Sequence, residues 1–153
     1  MINPNAAWTR LQHVPMFRGM KLKDFRPIVF GQQFDAVAAN AVVGPIRRDF
    51  PGGAIILGVT GSCIQDAQAF AAGSTGSRNS FAADFAYTND EQIAPGGPIM
   101  GQALIGTAEE CQFPPREIIV APTQGINTRV ENLTTSVITV HIAFHCLVWR
   151  FAS

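Results

Sequence analysis

Apolar residues recur at every second position over the last long stretch of the chain, from Val137 to Trp149. This period predicts a β-strand of about fourteen residues, roughly 45 Å long if it does not bend. One face would carry Ile138, Val140, Ile142, Phe144, Cys146 and Val148, and the other Thr139, His141, Ala143, His145, Leu147 and Trp149. Because both faces are largely apolar, we expect the strand in the middle of a sheet, or with one face against a neighbouring subunit.

Shorter apolar runs precede this strand, and clusters of glycine, proline and small polar residues separate them. The runs predicted as strands are residues 28–34, 36–43, 54–63, 81–87, 99–105 and 117–121. Turns are expected at Gly44-Pro45, at 51–53, 88–91 and 95–98, and at 133–135, where a terminal hairpin turns back. Roughly seven to nine short strands and no long amphipathic helix predict an all-β fold, a single jelly-roll-like β-sandwich.

The first 26 residues have neither helical nor strand periodicity, and we expect Pro4 and Pro15 to prevent a helix there. They contain five basic residues and one acidic residue, a net charge of +4, whereas residues 27–153 carry −4. We therefore divide the chain into a basic N-terminal arm, residues 1–26, and a β-sandwich domain, residues 27–153. The arm contains many large apolar side chains, so it either packs on its own domain or becomes ordered on a partner or a neighbouring subunit.

The composition excludes several classes of function. Charged residues are 14% of the chain, hydrophobic residues are 47%, and the net charge is zero. A dedicated nucleic-acid binder would be more basic, whereas so little charge favours subunit contacts. No stretch has the length of a membrane span and no signal peptide is evident, so we expect a protein made in a cytoplasm. The three cysteines lack the spacing of a disulfide framework or a zinc ribbon.

Candidate catalytic and metal-binding residues do not form a recognisable site. His141 and His145 would lie roughly 13 Å apart along one strand, too far to share a metal ion, so a metal site would need one of them together with His13 and carboxylates from elsewhere. Ser62, Cys111 and Cys146 are conceivable nucleophiles without the sequence context of a catalytic elbow. The acidic residues Asp66, Asp84, Asp90 and Glu91 are dispersed, and most adjoin turns. We therefore expect a protein that is not an enzyme and needs no cofactor or metal.

The order of strands and turns resembles that of one family. The resemblance is carried by Arg26-Pro27, by residues 49–57 and by residues 130–144, and it extends over most of residues 26–151. In these features the chain resembles the jelly-roll capsid decoration or cement proteins of tailed bacteriophages. The resemblance implies a homo-oligomer, usually a trimer and sometimes a dimer, on the outer face of the major capsid shell. Such a virion protein is assembled in the host cytoplasm, and its N-terminal segment commonly reaches onto capsid subunits.

This interpretation assigns provisional roles to particular residues. The major capsid protein would be the partner, together with further copies of the chain, without direct contact to nucleic acid or membrane. Capsid binding is assigned to the arm residues Trp8, Arg10, Phe17, Arg18, Lys21 and Lys23, and the oligomer interface to His141, His145, Leu147 and Trp149. Alternatives are a tail, collar or head-fibre component, a carbohydrate-binding module or an isolated hydrolase. The carbohydrate-binding module is disfavoured because only Trp8, Trp149 and Tyr87 offer ordinary platforms for sugar stacking.

Overall fold

The computed structural model describes residues 1–65, 80–93, 97–100 and 113–149. The chain begins with a helix, α1 (Pro4–Leu11), and two 3₁₀ turns, Pro15–Phe17 and Leu22–Asp24. Eight strands follow within the described ranges: β1 (Phe25–Val37), β2 (Val42–Asp49), β3 (Ala54–Gln65), β4 (Phe81–Tyr87), β5 (Ile99–Met100), β6 (Ile118–Val120), β7 (Gly125–Asn132) and β8 (Ile138–Trp149). The predicted run at 99–105 is a strand in its first two residues, and the remainder lies outside the described residues.

The strands form two four-stranded antiparallel sheets, here called the front sheet (β1-β8-β3-β6) and the back sheet (β2-β7-β4-β5). The first strand pairs with the last, the second with the seventh, the third with the sixth and the fourth with the fifth. This order arises when one long antiparallel hairpin of eight strands is rolled up, and it is the topology of a jelly roll. The all-β, jelly-roll-like prediction is confirmed.

The strand β8 occupies the position predicted from its alternating pattern. It lies between β1 and β3, and its inward side chains, from Ile138 to Val148, are buried in the main core. Phe144 is at the centre of that core, where its ring makes edge contacts with Phe50 at 6.0 Å and Phe85 at 5.9 Å. A strand with apolar residues on both faces is thus placed where both faces can be covered.

The predicted terminal hairpin and one predicted turn were wrong. The final two strands do not form a hairpin, because β7 belongs to the back sheet and β8 to the front sheet. Asn132 stabilises the crossing between them, since its side-chain amide donates hydrogen bonds to the carbonyls of Val37, Ala38 and Ser136. Gly44-Pro45 lies within β2 at a shift of register with β7, and the chain turns instead at residues 38–41. An edge strand tolerates proline because its outer amides have no partner.

The prediction that proline prevents a helix near the N-terminus was also wrong. Pro4 is the first residue of α1, a position where the missing amide hydrogen breaks no helical bond and the fixed φ suits a helix. Asn3 caps the helix, since its side-chain oxygen accepts from the amides of Asn5 (2.9 Å) and Ala6 (3.4 Å). The N-cap residue Asn3 followed by Pro4 was therefore a sequence signal for the start of this helix.

Candidate functional site

The N-terminal segment, residues 1–24, packs on the outer face of the front sheet. Its helix and first 3₁₀ turn contribute to a second hydrophobic cluster, separate from the main core, that comprises Ala7, Trp8, Leu11, Phe17, Phe25, Ile55, Leu57 and Leu147. The indole of Trp8 lies 5.1 Å from the ring of Phe25 and 5.9 Å from that of Phe17, measured between ring centroids. Of the two arrangements that the sequence left open, the structure shows the segment on its own domain.

Polar contacts fasten the same segment to the sheet. The guanidinium of Arg10 donates to both carboxylate oxygens of Glu117, with Nη2 2.5 Å from Oε2 and Nε 3.0 Å from Oε1. The Glu117 side chain is only 9% exposed, and its hydrogen bond with Arg10 holds its pKa below the ordinary value. At the very start of the chain, the amide of Ile2 donates to the carbonyl of Leu57 (2.8 Å), where the pairing of β3 with β8 shifts by one residue.

The predicted capsid-binding residues divide into two groups in this arrangement. Trp8 and Phe17 are each only 6% exposed, and Arg10 is engaged with Glu117, so all three hold the segment to its own sheet. Arg18, Lys21 and Lys23 are exposed and, like the neighbouring Arg26, have no ion pair among the described residues. We call these last four residues the basic stretch, and they are the part of the predicted arm that is free to meet an acidic surface.

The four predicted interface residues share one face of β8, but the N-terminal segment divides that face. Leu147 is 5% exposed and lies under the segment. Trp149 is 38% exposed and borders a small apolar cleft of about 70 Å³ beside Phe17 and Phe25. His141 and His145 are half-buried on the part of the sheet that the segment leaves uncovered. Of the four, the segment therefore covers Leu147, while the two histidines lie on the open part of the face and Trp149 stays exposed at its edge.

The uncovered part of the front sheet has no charged side chain among its central outward positions. Side chains of directly paired residues point to the same face of a sheet, so the register of β1, β8 and β3 identifies the outward set. Together these residues form what we call the open half: Val29, Gly31, Gln33, Gly58, Thr60, Ser62, Ile64, Thr139, His141, Ala143 and His145. The carboxylate of Asp35 borders this surface, where it accepts a hydrogen bond from the Gln33 side chain. Most are small, and Val29 is 60% exposed. Such a neutral surface pairs well with another protein surface, because no charge must be removed from water.

The chemistry of the open half is that of a neutral surface. A hydrogen bond of 3.0 Å joins Thr60 Oγ1 and His145 Nε2. Partial burial, assisted by the positive N-terminal amine, lowers the pKa of His145, so its imidazole is uncharged at neutral pH. On the opposite face of β8, burial raises the pKa of Cys146 to about 12, which leaves the thiol protonated and unreactive.

The described ranges contain no cluster of three or more histidine, cysteine or acidic side chains placed to hold a metal ion. The helices that the structure describes include none with the length and hydrophobicity of a membrane span.

Of the candidate nucleophiles, Cys111 lies outside the described residues, and so does Asp66 among the candidate acids. Ser62 is exposed on the outer face of β3, in the open half.

Sequence reasoning missed two features. The first is Glu117, which stands 107 positions from Arg10 and is marked by no periodic pattern. The second is a polar groove on the outer face of the back sheet, where Asp84 of β4 lies opposite Arg129 of β7. The available signal for the groove was the set Ala82, Asp84 and Ala86 at every second position of β4, because it predicts that one face of the strand has little bulk.

Comparison of the chain with models of protein families, with curated proteins and with solved structures finds no match. The candidate site is therefore interpreted from its own geometry.

Proposed function

We propose that the protein is a virion structural protein, a capsid decoration or cement protein of a tailed bacteriophage that binds the outer capsid surface and bridges capsid subunits. The observation that carries the proposal is the pairing of an uncharged, open sheet half with an exposed basic stretch on the same domain. The first surface suits contacts between copies of the chain, and the second suits an acidic partner surface. A jelly roll is also a fold found in viral capsid proteins.

The chemistry of the two surfaces gives each of them a separate role, self-association for the open half and capsid binding for the basic stretch. The open half presents small neutral side chains around His141 and His145, so two or three copies pack there without burying a charge. The basic stretch, from Arg18 to Arg26, then offers several cations per oligomer to the major capsid protein. Each contact is weak on its own, but an oligomer that binds several subunits at once gains avidity from its high effective local concentration. Bridging neighbouring subunits in this way stabilises a shell.

Self-association is tested by placing a charge at the centre of the open half. Ala143 pairs with Gly31 on one side and Thr60 on the other, so Ala143→Arg puts a cation into the proposed interface. The matched control is Ala39→Arg, which makes the same change at an exposed position in the β1–β2 turn. In sedimentation velocity we expect a dimer or trimer for the unaltered chain and the control, and a monomer for Ala143→Arg. A monomeric unaltered chain, or an unchanged mass for Ala143→Arg, contradicts this part of the proposal.

Capsid binding is tested with shells of the encoding phage that lack the protein. We expect the chain to co-sediment with these shells, and Lys21→Glu combined with Lys23→Glu to weaken binding by at least tenfold. Raising the salt concentration weakens it further, because exposed charges are screened. The Ala39→Arg control should bind normally. Binding to tails or fibres in place of shells would move the protein to the tail, collar or head-fibre class.

A further inference from the structure

The back sheet has a polar groove on its outer face, on the opposite side of the sandwich from the N-terminal segment. Its floor is β4, whose outward residues Ala82, Asp84 and Ala86 leave little bulk above the strand. Two adjoining hollows of about 290 and 180 Å³ lie along it, and Asp84 and Arg129 line both. The larger hollow is near the lower end of the size range of small-molecule clefts.

The walls of the larger hollow come from two local irregularities. On one side, the register shift in β2 places Pro45 at the groove. Gly44 permits this with a φ of +114°, and a Cβ there would lie 2.6 Å from the carbonyl oxygen of Thr128. On the other side, the loop after β4 folds back so that Gln92 bridges to Ala86. The groove is therefore built by ordered backbone on both sides.

The polar groups in the groove have unused hydrogen-bonding capacity. Asp84 and Arg129 are directly paired across neighbouring strands, yet they form no ion pair, although opposite charges at such positions commonly do. The Oδ1 atom of Asp84 is buried and has no hydrogen-bond partner among the described residues. Buried polar atoms are nearly always satisfied, so this oxygen can accept a hydrogen bond from a molecule bound in the groove.

The mixture of groups selects the class of ligand. The carboxylates of Asp84, Asp90 and Glu131 disfavour an anion. The guanidinium of Arg129 opposes a cation, and no group of three metal-ligating side chains among the described residues is placed to hold one. The amides of Asn127 and Gln92 both donate and accept hydrogen bonds. We propose that this groove binds a neutral polyhydroxylated ligand, a saccharide of roughly one or two rings. Sugar hydroxyls donate to the carboxylate and accept from the guanidinium, so one ligand satisfies both groups that the fold holds apart.

The proposal is independent of the proposed virion role, because it uses the other face of the sandwich. The site has no aromatic platform among its lining residues, so we expect dissociation constants near the millimolar range for single sugars. A binding method suited to weak ligands is therefore required.

The experiment titrates the full chain with methyl glycosides of glucose, galactose, mannose, rhamnose and N-acetylglucosamine, followed by NMR shifts of side-chain amides. We expect at least one glycoside to shift the amides of Asn127 and Gln92. Asp84→Asn should weaken that binding at least tenfold and Arg129→Gln likewise. The control Asp35→Asn, an exposed carboxylate in β1, should bind as the unaltered chain does.

Three results overturn the proposal. No shift with any glycoside at about 20 mM would exclude a saccharide site of the expected affinity. Shifts that persist in both Asp84→Asn and Arg129→Gln would place the ligand elsewhere. The same shifts produced by Ca²⁺ or inorganic phosphate alone would assign the groove to ions. Spectra of the variants that keep the dispersion of the unaltered chain show that a loss of binding is not a loss of folding.

Discussion

Replacing Trp8 by alanine tests whether the N-terminal segment is part of the folded domain in solution. The indole is 6% exposed and contacts Phe17 and Phe25 within the second hydrophobic cluster. Truncating it removes the largest side chain of that cluster and leaves a cavity between the segment and the sheet. Met16, in the same segment but 47% exposed, provides the matched control when it too is changed to alanine.

The expected size of the effect follows from buried area. A tryptophan buries about 150–250 Å², and at about 25 cal/mol per Å² this corresponds to roughly 4–6 kcal/mol as an upper estimate. Core substitutions of aromatic residues by alanine cost about 3–5 kcal/mol. We therefore expect Trp8→Ala to lower the free energy of unfolding by about 3–5 kcal/mol. The Met16→Ala control should stay within about 0.5 kcal/mol of the unaltered chain.

Urea denaturation measures both the loss of stability and its origin. If the variant keeps the segment docked, the slope of unfolding free energy against urea is unchanged. If the segment detaches, the surface between the segment and the sheet is already exposed in the folded variant, so less surface is exposed on unfolding and the slope falls. The amide of Ile2 then loses its protection from hydrogen exchange. Either result agrees with a segment that packs on its own sheet. Equal, small effects of Trp8→Ala and Met16→Ala on the free energy of unfolding would refute this packing. They would favour the other arrangement, in which the segment becomes ordered only on a partner.

Two further predictions concern single carboxylates. The contact with Arg10 lowers the folded-state pKa of Glu117 below its ordinary value of 4.5. Its stabilising contribution is therefore fully present above about pH 4.5 and is lost as the pH falls through the lowered pKa. The stability difference between the unaltered chain and Glu117→Gln should therefore be constant near neutral pH and shrink below about pH 4.5 in urea titrations; a constant difference down to pH 3 would contradict it. Asp84→Asn should raise the free energy of unfolding by up to about 1 kcal/mol, because a neutral amide costs less to bury than a carboxylate whose Oδ1 has no partner among the described residues. Destabilisation in urea would show that the carboxylate has a structural partner.

The strand pattern was predictable from the sequence because it depends on local alternation. The inward and outward residues of β8 are those that the period of two assigns. Burial selects for this alternation at every position, so the signal accumulates along a strand. The same logic predicted a central position for β8, because both of its faces are largely apolar.

The connections and the surfaces were harder to predict because they depend on contacts far apart in sequence. The crossing from β7 to β8 between the sheets is held by the amide of Asn132, whose partners include residues 94 and 95 positions away. The open half exists because α1 covers Leu147 and stops short of His145. No periodic pattern encodes how far a covering segment extends over a sheet.

The two proposed surfaces lie on opposite faces of one sandwich, and this has a consequence for assembly. The open half and the groove share no residue, and the main core separates their sheets. Sites that share no partners act additively in most proteins, so oligomer formation should leave saccharide affinity unchanged. Ala143→Arg should therefore bind glycosides as the unaltered chain does, and Asp84→Asn should retain its oligomeric mass. By reciprocity, any effect of a glycoside on self-association would require an equal effect of self-association on glycoside affinity. A subunit packed through its front sheet would thus keep its back-sheet groove accessible to solvent.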